Sequence, residues 1–72
     1  MKGYTRHELD GGKRIVIRGR SPNIAHALVD STFLIEMCPE NYYPKRVTVT
    51  KREDGSSCRV EVYFQRQLGG NY

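Results

Sequence analysis

Apolar and polar positions alternate with a period of two in two well-separated regions, and with a helical period in the stretch between them. The clearest alternation is in residues 45–52, KRVTVTKR, and 58–66, CRVEVYFQR. Both read as strands with one apolar and one polar face. Glu53-Asp54-Gly55-Ser56-Ser57 joins them. A two-residue Asp54-Gly55 turn of type I′ fixes every cross-strand pair. On one face Val49 then opposes Val60 and Val47 opposes Val62, with Cys58 and Phe64 on the same side. On the other, Thr50 opposes Arg59, Thr48 opposes Glu61 and Arg46 opposes Tyr63. Residues 4–9, YTRHEL, and 13–18, KRIVIR, flank Asp10-Gly11-Gly12 and read as a first hairpin. A three-residue loop there puts Thr5, His7 and Leu9 on the face of Ile15 and Ile17; a two-residue loop puts different residues there. The longer loop is preferred because it turns Leu9 inward.

The helical stretch is residues 21–38, SPNIAHALVDSTFLIEMC. Ser21 suits the N-cap and Pro22 the first helical position. Pro39 ends the helix near Met37. Ile24, Leu28 and Ile35 cluster as the expected core face. Val29, Phe33 and Met37 form a second apolar stripe, and Asn23, His26 and Asp30 a narrow polar strip. His26 and Asp30 have the spacing of a surface pair. Residues 39–44, PENYYP, read as an irregular connection, with Tyr42 and Tyr43 over one end of the core. Residues 68–72 read as a flexible tail.

These elements predict one α+β domain over residues 1–67. It has the order ββαββ, with the helix packed on a four-stranded, mainly antiparallel sheet. Strand order stays open. The hairpins can pair within the chain or across subunits, or place the first and last strands parallel at the centre as in a β-grasp fold.

Composition narrows the functional classes. Seventy-two residues form one small domain, which buries only about 60% of the surface of its unfolded chain. No apolar run is long enough to span a membrane. MKGYTRHELD lacks the apolar segment of a signal peptide. Cys38 and Cys58 have neither disulfide-framework nor metal-ligand spacing, so they are expected to be reduced thiols in a cytoplasmic protein. The net charge of +4 leans toward an anionic partner.

The polar sheet face carries that charge: Arg14, Val16 and Arg18, then Arg46, Thr48, Thr50 and Arg52, then Arg59, Glu61, Tyr63 and Gln65. Guanidinium groups suit phosphates, and an aromatic ring can stack on a base. Arg14, Arg18, Arg46, Arg52, Arg59 and Tyr63 are therefore the candidate nucleic-acid contacts. The competing reading is an ordinary solvated sheet face. Val29, Phe33 and Met37 are the candidate protein interface, for a homodimer or another partner, unless a terminal segment folds over them. His7 and His26 lack convergent partners. No phosphate-binding glycine loop, carboxylate pair or zinc pattern occurs, so the expectation is a binding module rather than an enzyme, without metal or cofactor. Leu68-Gly69-Gly70 looks like the glycine-ended tail of ubiquitin-like and sulfur-carrier proteins. The resemblance covers three residues and is followed here by Asn71 and Tyr72. It implies a β-grasp carrier processed at Gly70, a third alternative.

Overall fold

The computed structural model describes residues 3–67. β1 (Tyr4–Leu9) and β2 (Arg14–Ser21) form the first hairpin; α1 (Ile24–Glu36) follows; β3 (Tyr42–Lys51) and β4 (Cys58–Arg66) form the second. All three strand pairings are antiparallel, and the sheet order is β1-β2-β4-β3. The protein is thus an α+β domain with one helix on a four-stranded sheet. Its central pair, β2 and β4, is antiparallel, so the parallel centre of a β-grasp fold is not formed.

Burial explains the order. β4 contributes Cys58, Val60, Val62 and Phe64 to the helix-facing side, and β2 contributes Ile15 and Ile17; all are buried. Strands that bury this much apolar surface belong in the middle of a sheet. β1 presents Tyr4, Arg6 and Glu8 on that side, which suits a strand the helix does not cover. β3 takes the other edge. Pro44 can sit there because an edge strand need not donate every N–H. The register also shifts between Pro44 and Arg46, leaving Lys45 as the extra residue of a bulge. The connection expected over residues 39–44 is therefore shorter, since β3 already begins at Tyr42. The Tyr42 hydroxyl donates to the carbonyl of Gly12, tying β3 to the first turn. Tyr43 lies on the outward face, opposite Gln65.

The second hairpin has the register expected from its pattern: Val49 opposes Val60, Val47 opposes Val62, Thr48 opposes Glu61 and Arg46 opposes Tyr63. Its turn is different. Arg52 N–H donates to Ser57 O at 3.0 Å, and Gly55 N–H to Arg52 O at 2.9 Å. Residues 53–56 thus form a four-residue loop in which Gly55 has φ 72°. Adding one residue to each side of a two-residue turn leaves the pairing unchanged, which is why the register survives.

The first hairpin corrects the expected register. Leu9 opposes Arg14. Residues 10–13 form a four-residue loop in which Lys13 N–H donates to Asp10 O at 3.3 Å, and Asp10, Gly11 and Gly12 all take positive φ, 53°, 66° and 92°. One residue of shift exchanges the faces. Thr5, His7 and Leu9 are on the outward face, not with Ile15 and Ile17.

The helix also docks differently from its wheel. β2 continues through Ser21, opposite Cys58. Asn23 is the N-cap instead, its Oδ1 accepting from His26 N–H at 2.9 Å. Ala27, Asp30, Ser31 and Leu34 are buried, whereas Ile24 and Leu28, expected in the core, are 49% and 60% exposed. The sheet already fills the layer with Phe64, Ile15, Ile17 and Val62, so the helix approaches through small residues. The polar groups carried down with them are satisfied: Ser31 Oγ donates to Leu28 O at 2.7 Å, and Ser21 Oγ to Asp30 Oδ2 at 2.6 Å. Asp30 thus reaches inward to the end of β2, and His26 Nδ1 lies 3.2 Å from Asn23 Oδ1.

Candidate nucleic-acid interface

Strand alternation brings Arg14, Arg18 and Arg20 of β2, Arg46 of β3 and Arg59 of β4 onto the face opposite the helix, while Arg66 falls on the helix side. In register across the sheet, one row is Thr5, Arg18, Glu61, Thr48 and the next is His7, Val16, Tyr63, Arg46. Val16 lies between His7 and Tyr63 and is buried despite facing outward. Toward the second loop, Arg20 opposes Arg59, which opposes Thr50. Toward the first turn, Leu9, Arg14, Gln65 and Tyr43 complete the face.

The arginines are not equivalent. Arg18 Nε donates to Glu61 Oε2 at 2.6 Å, and Thr48 Oγ1 donates to Glu61 Oε1 at 3.2 Å. Burial raises the cost of charging Glu61. The bonds from Arg18 and Thr48 and the fields of Arg18 and Arg59 outweigh it, holding the carboxyl below its ordinary value. Arg14 Nε donates to Asp10 Oδ2 at 2.7 Å. Arg46 lies over the Tyr63 ring at 5.5 Å from its centroid, a cation–π contact. Arg52 Nε is 3.9 Å from Asp54 Oδ1, a loose pair.

Arg20 and Arg59 form a like-charge cross-strand pair, an arrangement that costs stability. Among the described residues neither forms a salt bridge with a carboxylate. With Arg52, Glu53 and Asp54 they line an open depression of about 490 Å³. A second depression, of about 290 Å³, lies between Arg14, Lys45, Arg46, Tyr63 and Gln65. The fold therefore brings Arg14, Arg18, Arg46, Arg59 and Tyr63 onto one face, with Arg52 at its end. Arg20 lies beyond the strand that the pattern predicts over residues 13–18, since β2 runs on to Ser21. The signal was available: the alternation Arg14, Val16, Arg18, Arg20 runs through Gly19 to Ser21.

The opposite surface, the outer side of α1, is largely apolar, with Thr32 and Glu36 also exposed. Val29 and Phe33 are each 55% exposed and Met37 37%. Phe33 and Met37 meet Tyr4 and Leu34 in a shallow groove of about 290 Å³ beside β1.

Among the described residues no cluster of three His, Cys, Asp or Glu side chains is placed to hold a metal. No described helix is long and apolar enough to cross a membrane. Cys38 and Cys58 are free; burial pushes the Cys38 thiol up, and its Sγ donates to Tyr42 O at 3.1 Å. Leu68-Gly69-Gly70, the carrier-like segment, lies outside the described residues. No protein-family model, curated protein or solved structure matches this chain.

Proposed function

We propose that the protein is a small, non-enzymatic nucleic-acid-binding module that holds a phosphate backbone against the outward face of its sheet. The observation that carries this reading is the Arg20–Arg59 pair. Arg20 and Arg59 are directly paired across the central strands and line one depression, without a carboxylate salt-bridged to either among the described residues. The pair costs an unliganded sheet stability, offset only in part by the attraction between Arg59 and the Glu61 carboxylate. A phosphate between two guanidiniums reverses the sign of the interaction through charge-assisted, forked hydrogen bonds. Arg52 and Arg46 extend the positive surface along the strands. Tyr63 acts chiefly as a platform that positions Arg46, so backbone contact rather than base stacking dominates. A reducing, cytoplasmic setting suits the free thiols of Cys38 and Cys58.

The test is fluorescence anisotropy with labelled duplex and single-stranded 20-mers over a series of salt concentrations. If Arg20, Arg46, Arg52 and Arg59 each meet one phosphate, log K falls with log salt at a slope of roughly −3 to −4 on duplex DNA. Arg20→Glu discriminates this reading from a merely solvated face. It places a carboxylate opposite Arg59, so thermal stability should rise by about 0.2–1 kcal/mol, while affinity falls by about tenfold or more. No binding at low salt, or an R20E protein that binds as tightly as the wild type, would falsify the proposal.

A further inference from the structure

We infer that the outer face of α1 is a homodimer interface, built to receive the same face of a second copy about a two-fold axis near Val29 and Thr32. Four observations converge on this occupant. The first is area. Ile24, Leu28, Val29, Phe33 and Met37 are between 37% and 60% exposed, together roughly 500 Å² of largely apolar surface wrapped around the uncovered side of α1, with Phe33 and Met37 on the β1 flank and Ile24 and Leu28 on the other.

The second is charge. The chain carries +4, so two copies repel wherever their basic surfaces approach. From Ile24 to Glu36 the helix has no lysine or arginine; of its two carboxylates, Asp30 is buried against Ser21 and Glu36 is exposed in the last turn. This is a face on which a second copy of the same basic chain meets no cationic side chain. An acidic partner would gain nothing from it.

The third is shape. The crest of the exposed face is Ala25, Val29, Thr32 and Glu36, with Leu28 and Phe33 as shoulders. Small residues at the crest let two helices approach closely, and the larger ones fill the grooves beside the crossing. Val29 and Thr32 lie near the middle of α1, where a two-fold axis makes a crossing self-complementary. The fourth is polar satisfaction. Thr32 Oγ1 donates to Val29 O at 2.6 Å, so covering Thr32 leaves its hydroxyl hydrogen-bonded. With the helices antiparallel, Glu36 falls opposite the N-terminal turn of the second copy, where the helix dipole favours a carboxylate.

Sedimentation equilibrium of the full chain, from micromolar to several hundred micromolar, tests this. The wild type should reach twice the 8.3 kDa chain mass. Val29→Glu keeps a good helix former at an exposed position, so it should be monomeric with unchanged circular dichroism. Thr32→Cys, oxidised with copper-phenanthroline, should give a covalent dimer under conditions where wild type and Thr50→Cys, on the opposite face, do not. A wild type that stays monomeric across the range overturns the inference. So does a dimer that is neither dissociated by V29E nor cross-linked through T32C. Neither outcome bears on the arginine face, which is read separately by anisotropy.

Discussion

Glu61 shows how one side chain sets the character of the arginine face. It is the one carboxylate on the outward positions of β2, β3 and β4, and it anchors Arg18 while Thr48 holds its other oxygen. Because its carboxyl titrates below the ordinary value of 4.5, the folded protein favours the charged form more than the unfolded chain does. The stability this contributes is present above the unfolded pKa and is lost as pH falls through the lowered folded value. Urea unfolding from pH 6 down to pH 3 should therefore show Glu61→Gln losing less stability on acidification than the wild type. Parallel acid limbs for the two proteins would remove Glu61 from the account. Arg20, one row away, is the opposite case, with a like charge rather than a carboxylate across from it.

At the scale of elements, the junction between β2 and α1 decides how the helix lies. Ser21 has the chemistry of an N-cap, but its hydroxyl bonds Asp30 and its backbone belongs to β2. Asn23 caps the helix, and Pro22 sits just outside it. The two residues should consequently fail in different ways. Asn23→Ala removes a surface cap and should cost about 1 kcal/mol. Ser21→Ala takes a hydrogen bond from a buried carboxylate and should cost about 2 kcal/mol. Chemical denaturation of the two variants gives the order, and a larger loss for N23A would contradict this assignment. The same junction explains the exposed stripe. Once Asp30 is drawn to Ser21, the rotation of α1 is set: Ala27, Ser31 and Leu34 face the sheet, while Ile24 and Leu28 join Val29 and Phe33 outside.

For the whole molecule, the two proposed surfaces lie on opposite sides of a two-layer fold, and each responds to a different force. Raising salt from about 0.05 to 0.5 M screens phosphate contact and releases the advantage of counterion displacement. It leaves the burial of apolar helix surface intact or slightly strengthened. Binding of a 20-mer should fall steeply over that range, while the sedimentation mass of the free protein stays constant. A mass that falls in step with nucleic-acid binding would place ion pairs, not the α1 face, at the subunit contact. A dimer joined through α1 directs its two arginine faces away from each other, which suits the bridging of two nucleic-acid segments.

The sequence alone determined whatever rests on local pattern. The period-two alternation of residues 45–50 and 58–64 fixed which side chains share a face in the second hairpin, and its register tolerated a wrong turn type. The ββαββ order was legible for the same reason, and so were five of the outward arginines. Where the pattern was ambiguous, tertiary structure decided. In the first hairpin a one-residue difference at Asp10-Gly11-Gly12 exchanged faces, and the weakly patterned YTRHEL supplied no apolar set strong enough to prevent it. The helix offered more apolar residues than one sheet can cover, so the wheel could not say which would be buried. The choice fell to close approach through Ala27 and Ser31 and to the Asp30–Ser21 bond, a contact between residues nine apart that no helical periodicity encodes. The Arg20–Arg59 pairing waited on strand order for the same reason. It exists only because β2 and β4 are neighbours, and that adjacency follows from which strands bury the most apolar surface.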